Sequence, residues 1–170
     1  MITQTERLIL RPFCEEDVDA LFMMNSIPEM LTYIPMAPLT STEQAMEIFH
    51  QVIQQDYKQH GFGRWAVVHK ADDKVIGFCG PKFIPEYNEV EIGYRYFPEY
   101  WRQGIATEAA EAALKAFPKF GINKTIALIL EGNIGSEMVA KRVGMQWREQ
   151  NEFMGHRVNV YAKHLSAIEV

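Results

Sequence analysis

The stretch from Glu89 to Phe117 constrains this chain more than any other. An extended, aromatic run from Glu89 to Phe97 leads through a turn at Pro98 and Glu99 into a short polar loop with one glycine, Gly104. Alanine-rich sequence follows directly and ends near Phe117. Alternation reads as a strand and the alanine run as a helix. A strand, a tight loop and a helix start in succession make an anion site. The first N–H groups of a helix have no partner within it, and the helix dipole favours negative charge there. Gly104 removes a Cβ and lets backbone N–H groups approach a ligand. Ile105 and Ala106 should point back to the core. Thr107 should begin the helix, as its cap or as a hydroxyl donor to a phosphate oxygen. The same spacing also suits an ordinary turn. The stretch holds neither G-x-x-x-x-G-K-[ST] nor G-x-G-x-x-G.

The rest of the chain can be ordered around this unit. Arg7 to Phe13 alternates as a first strand, with Leu8 and Leu10 on one face. Glu15, Glu16 and Asp17 suit a helix N-terminus, and that helix should run to about Met24. Pro28, Pro35 and Pro38 break the next stretch into short pieces. Ser41 and Gln44 can make a capping box for a helix to about Gln59, with Ala45, Ile48, Phe49, Val52 and Ile53 on its apolar face. Strands are expected at Arg64–His69 and Lys74–Gly80 around a turn at Ala71–Lys74. A loop should cover Pro81–Asn88. Pro118 should end or kink the helix before it, with Gly121 closing the turn. Lys124–Leu130 reads as a buried strand and Asn133–Val143 as a short helix. A last hairpin should pair Gln146–Gln150 with Arg157–His164 around a polar turn, Asn151–Gly155. This order predicts a mixed α/β layout with a mostly antiparallel sheet.

The 170 residues suit one domain, 1–170, with a real core. A net charge of -5 argues against general nucleic-acid binding, which needs a basic face. Two isolated cysteines, Cys14 and Cys79, give no disulfide framework and suit a reduced cytoplasmic protein. The start, M-I-T-Q-T-E-R, has no apolar signal segment, and no apolar run has membrane-spanning length. The five histidines, His50, His60, His69, His156 and His164, are scattered without ligand spacing, so no metal is expected.

Three segments together resemble the GNAT superfamily of N-acetyltransferases, most closely its Rim-type branch of ribosomal-protein alanine N-acetyltransferases. The run E-I-G-Y-R-Y-F-P-E-Y-W-R-Q-G-I-A-T-E-A, Glu91 to Ala109, is similar to the acetyl-coenzyme A motif. T-E-R-L-I-L-R-P-F, Thr5 to Phe13, is similar to the branch's opening strand. N-I-G-S and K-R-V-G-M, within Asn133 to Met145, resemble the second coenzyme motif. The resemblance implies an α/β (α+β) fold: a mixed, mostly antiparallel sheet of about seven strands, splayed in the middle, with about four helices on both faces.

It also implies a site. Arg102, Gln103, Gly104, Ile105, Ala106 and Thr107 would hold the pyrophosphate of acetyl-coenzyme A. Trp101 stands where many relatives carry a basic residue or glutamine, one polar contact fewer. The backbone of Tyr94 and Tyr96 would pair with the pantetheine arm, and Gly93 sits where the family strand often bulges. Asn133 would bond that arm and Ser136 would lie near the thioester, although both residues also suit a helix cap. Glu91 occupies the general-base position, with Glu89 as runner-up. A glutamate paired to an arginine such as Arg95 is the structural alternative. The tyrosine acid of many relatives is replaced by Ala140, which leaves the acid to Ser136 or a water it holds, with Tyr161 second. Ile27–Leu39, which includes Met30, Tyr33, Ile34, Pro35 and Met36, would wall the acceptor side, or simply pack. The acceptor could be a protein N-terminal amine, a polyamine or other small amine, or an antibiotic. A non-catalytic acyl-coenzyme A sensor is the reading of another class. A monomer and a homodimer both remain open.

Overall fold

The computed structural model describes residues 1–34 and 36–165; the reading of Pro35 as a breaker and cleft wall lies outside them. One eight-stranded sheet organises the molecule, in the order β1-β2-β3-β4-β5-β6-β8-β7. The strands are β1 (Thr3–Gln4), β2 (Leu8–Pro12), β3 (Trp65–His69), β4 (Lys74–Ile84), β5 (Glu89–Tyr96), β6 (Lys124–Leu130), β7 (Gln146–Phe153) and β8 (His156–His164). Every neighbouring pair is antiparallel except β5 and β6. The short β1 is the strand beyond the seven that the sequence suggests.

Helical segments are α1 (Val18–Met24), α2 (Thr42–Ile48), α3 (Gln54–His60), α4 (Ile105–Ala116) and α5 (Ile134–Arg142). A π-helical turn, Phe49–Ile53, joins α2 to α3, so the two run on as one rod and the helices number four in effect. That turn explains a departure on the apolar face. Ala45, Phe49 and Ile53 are buried, whereas Val52 is exposed. A π turn holds more residues than an α turn, so positions four apart stay in line and the residue three apart swings out. Ser41 caps α2 by accepting from the Gln44 N–H, and the Gln44 side chain reaches back to the Thr40 N–H.

β4 runs on through Pro81, where a loop was expected. β3 ends opposite Cys79, and Pro81 pairs only with Ile92 of β5. Beyond the end of β3 that side of β4 is an edge, and an edge tolerates a missing N–H. The loop shrinks to the turn after Ile84. The last hairpin is likewise longer than expected, with its strands reaching Phe153 and His156. Pro118 acts as foreseen: α4 ends at Ala116 and passes into a 3-10 turn, Phe117–Phe120, closed by Gly121 at φ 78°.

Adjacent residues on a strand face opposite sides of a sheet. Arg95 reaches Met24 and Asn25 at the end of α1, while its neighbour Tyr94 reaches Ser136 on α5. α1 and α5 therefore lie on opposite faces, as the resemblance implies. The main core joins β2–β5 to the helices through Leu8, Leu10, Trp65, Ile105 and Phe117; a small cluster of Ile126, Val158 and Val160 forms on β6 and β8. No described helix is long and apolar enough to cross a membrane.

Candidate active site

β5 and β6 share one register pair, Glu91 with Ile126, reinforced by the Thr125 hydroxyl on the Val90 carbonyl at 3.0 Å. Beyond it the strands part. Phe97 donates its N–H to Ile76 of β4, so the alternate residues Tyr96 and Tyr94 turn their backbone groups away from β4, into the gap. One of these groups is already taken: the Trp101 indole N–H donates to the Tyr96 carbonyl at 2.8 Å. Trp101, expected only as a lost polar contact, thus pins the loop to the strand.

A cavity of about 880 Å³ opens at this gap, lined by Tyr94, Tyr96, Gly104, Thr107, Asn133 and Ser136 among others. A second, of about 210 Å³, lies beside Glu91, and Tyr94, Arg95, Asn133 and Ser136 border both. Arg102, Ile105 and Ala106 also line the larger cavity. Gln103 does not line either one; its side chain donates to the Glu99 carbonyl at 2.8 Å instead. Helix α4 begins two residues earlier than expected, at Ile105, and its cap is Gly104 at φ 75° rather than Thr107. A left-handed backbone can lead straight into the helix when the residue has no Cβ. Ile105 is buried and Ala106 half-buried, close to expectation. Arg102 also adopts a positive φ, 61°. A bulkier non-glycine residue is seldom held there, so the loop is tightly specified.

The N-terminal segment clamps this loop, a role the sequence reading missed. Glu108 in the first turn of α4 accepts from the Thr5 hydroxyl at 2.5 Å and from Arg7 Nε at 2.8 Å, and Arg7 Nη1 donates to the Gln103 carbonyl at 2.9 Å. Burial pushes the Glu108 carboxyl up, but the bonds from Thr5 and Arg7 more than offset this and hold it below its usual range. The second motif forms the expected cap: Asn133 Oδ1 accepts from the Ser136 N–H at 3.3 Å. Both side chains still border the cavities, so capping and ligand contact are compatible.

Glu91 is buried, and its Oε1 is bound by Arg64, not by Arg95. Arg64 also donates to the Gly80 carbonyl at 2.7 Å, so it lies across β5 at Gly93. A Cβ at Gly93 would come within 2.5 Å of the Arg64 guanidinium carbon. The glycine is thus explained by this crossing; β4 and β5 keep one register past it, without the expected bulge. Glu89, the runner-up base, is held by Arg148 at 2.9 Å and borders neither cavity. Tyr161 also stays outside, its hydroxyl donating to Glu137 at 3.0 Å. The Tyr94 phenol went unnoticed in the sequence. It donates to the Ser136 carbonyl at 2.9 Å at the junction of the cavities, and burial raises its pKa. Among the described residues no cluster of three His, Cys, Asp or Glu side chains could hold a metal ion.

Residues 7–146 match the model of the acetyltransferase (GNAT) domain. An uncharacterized N-acetyltransferase, p20 of Bacillus licheniformis, is 30% identical over 163 residues, 92% of this chain and 91% of its own. The fold is shared with the RimL ribosomal L7/L12 alpha-N-protein acetyltransferase in complex with coenzyme A, at a TM-score of 0.78, 21% identity and coverage of 96% and 97% of the two chains. It is shared equally with spermidine N-acetyltransferase from Vibrio cholerae in complex with coenzyme A and spermine, at a TM-score of 0.79, 17% identity and coverage of 95% and 97%.

Proposed function

We infer the reaction from the family: the chain belongs to the GNAT acetyltransferases and is an N-acyltransferase with acetyl-coenzyme A as donor. Its acceptor, we propose, is the N-terminal amine of a peptide or protein. The observation that supports this most is the charge around the smaller cavity. Among its described lining residues the one carboxylate is Glu91, which Arg64 already pairs, and a second guanidinium, Arg95, stands beside it. A polyamine or aminoglycoside needs several free carboxylates, because each buried cation must be matched. A peptide brings one amine and many backbone groups, and it can lie as an extended segment along open strand edges. Phe153 and Met154 also line the smaller cavity, and the β7–β8 turn that carries Met154 is only two residues long, Met154 and Gly155, which supports an open groove there.

In this reading acetyl-coenzyme A lies along the gap between β5 and β6. Its pyrophosphate meets the N–H groups at the start of α4, near Arg7 and Arg102, and its pantetheine arm meets Tyr94, Tyr96 and Asn133. The free amine attacks the thioester carbonyl; the new C–N bond forms and the C–S bond breaks. The proton leaving nitrogen passes to Glu91 Oε2, which accepts no hydrogen bond from the described residues, directly or through water. A water held by Ser136 Oγ returns a proton to the departing thiolate.

The test is a pair of short peptides offered with acetyl-coenzyme A. The one with a free N-terminus should be acetylated and its N-terminally blocked twin should not. Turnover of spermidine with neither peptide touched would overturn the acceptor assignment.

A further inference from the structure

Arg95 is a guanidinium without a carboxylate. Among the described residues its protein partners are the Met24 carbonyl at 3.1 Å and Asn25 Oδ1 at 2.8 Å, both through Nη1. Its Nε is buried with no partner, and its Nη2 takes no protein acceptor. The group borders both cavities and stacks over Phe78, 5.2 Å from the ring centroid. Arg64 lies over the same ring at 5.7 Å. Two guanidiniums therefore share one aromatic ring, and among the described residues the one carboxylate bonded to either of them is Glu91, on Arg64. Burial, and then the charge of Arg64, pull the Arg95 pKa down to about 10, so its charge survives at neutral pH but is poorly compensated.

Two hydrogen bonds and the Phe78 ring hold this group, but none of them matches its charge. An uncompensated buried cation is costly unless something neutralises it. The two bonds to the end of α1 explain where Arg95 is anchored; they do not explain why a full cation stands there, since a neutral donor could serve those two acceptors. Residues 91, 93 and 95 alternate onto one face of β5, and the Arg64 guanidinium covers Gly93 between the other two. Glu91, Arg64 and Arg95 all line the smaller cavity, and of the two guanidiniums that a ligand with its amine at Glu91 meets there, Arg95 is the one without a carboxylate among the described residues. Building on the acceptor assignment above, we propose that Arg95 is an anion subsite, which selects acceptors carrying a carboxylate close to the reacting amine. An acidic side chain near a peptide N-terminus supplies that chemistry, and so does the α-carboxylate of a free amino acid.

The experiment compares acceptors matched except for charge, with acetyl-coenzyme A saturating. One pair is a peptide with aspartate at its second position and the same peptide with asparagine. The other is a free amino acid and its amide. A charge-assisted hydrogen bond lost in a partly dry site should lower kcat/KM by roughly 10- to 100-fold. Arg95→Gln should erase that preference by raising KM for the carboxylate form, with the uncharged form left near its wild-type rate, and Arg95→Lys should restore part of it. Because the wild-type comparison needs no variant, a poorly folding Arg95→Gln protein does not block the test. Preference for the aspartate peptide supports both the subsite and the peptide acceptor. Preference confined to the free amino acid supports the subsite and overturns the peptide acceptor. Peptides acetylated without regard to charge overturn the subsite alone, and turnover of spermidine alone overturns both.

Discussion

Arg64 and Glu91 are paired across the face of β5, 27 residues apart in sequence, in the space that a Cβ at Gly93 would need. Both residues line the smaller cavity. The pair fixes one oxygen of the carboxylate and leaves the other to the cavity, so the side chain is oriented before any amine arrives. Positioned groups of this kind are what general-base catalysis requires.

Glu91→Gln keeps the shape and removes the proton acceptor. Steady-state kinetics should show kcat lowered by roughly 10²- to 10⁴-fold, the usual span for a general base. KM for acetyl-coenzyme A should move little, because Glu91 does not line the larger cavity. A variant with a near-normal rate would assign proton removal to ordered water.

Gly104→Glu places a Cβ at φ 75° and an anion at the cap of α4. Apart from its own chain neighbours and Arg7 Nη2 at 3.6 Å, the new Cβ meets no described atom within 4 Å, so the fold should survive with a modest loss. Titration calorimetry should show acetyl-coenzyme A binding abolished while circular dichroism stays native. Undiminished binding would place the phosphates somewhere other than this loop.

Glu108→Gln should destabilise the protein by about 1–2 kcal/mol at neutral pH, the scale of a charge-assisted bond in a partly exposed site. The direction with pH is set by the lowered carboxyl. A depressed folded-state pKa gives stability above the unfolded value that is lost as pH falls through the folded one. Denaturant melts of wild type and variant should therefore differ most near pH 7 and converge in acid, below the ordinary glutamate range. A gap that stays constant with pH would show that Glu108 acts by packing instead.

Much of this site is legible in the sequence because it is local. The strand, the Gly104 loop and the α4 helix follow one another within a few turns of chain, and Pro118 breaks the helix through its own ring. What escaped depends partly on distant partners and partly on local backbone turns. Pro81 reads as a strand end until one knows that β3 stops opposite Cys79. Arg95 is the natural sequence neighbour for Glu91, and only the folded sheet brings Arg64 there instead. Val52 belongs on an apolar face by α-helical spacing, and a single π turn moves it to solvent. Thr107 is the usual kind of capping residue, yet Gly104 takes that place because the chain must turn left-handed before the helix starts.

The clamp from Arg7 to Glu108 joins groups 101 residues apart, on two segments that meet only when the intervening sheet is assembled. Bringing the ends of so long a loop together carries a closure entropy that this contact helps to offset. The loop before α4 is thus held from outside its own helix, by residues far away in sequence. A ligand that binds this loop in the native chain alone adds its binding energy to the stability of the whole chain.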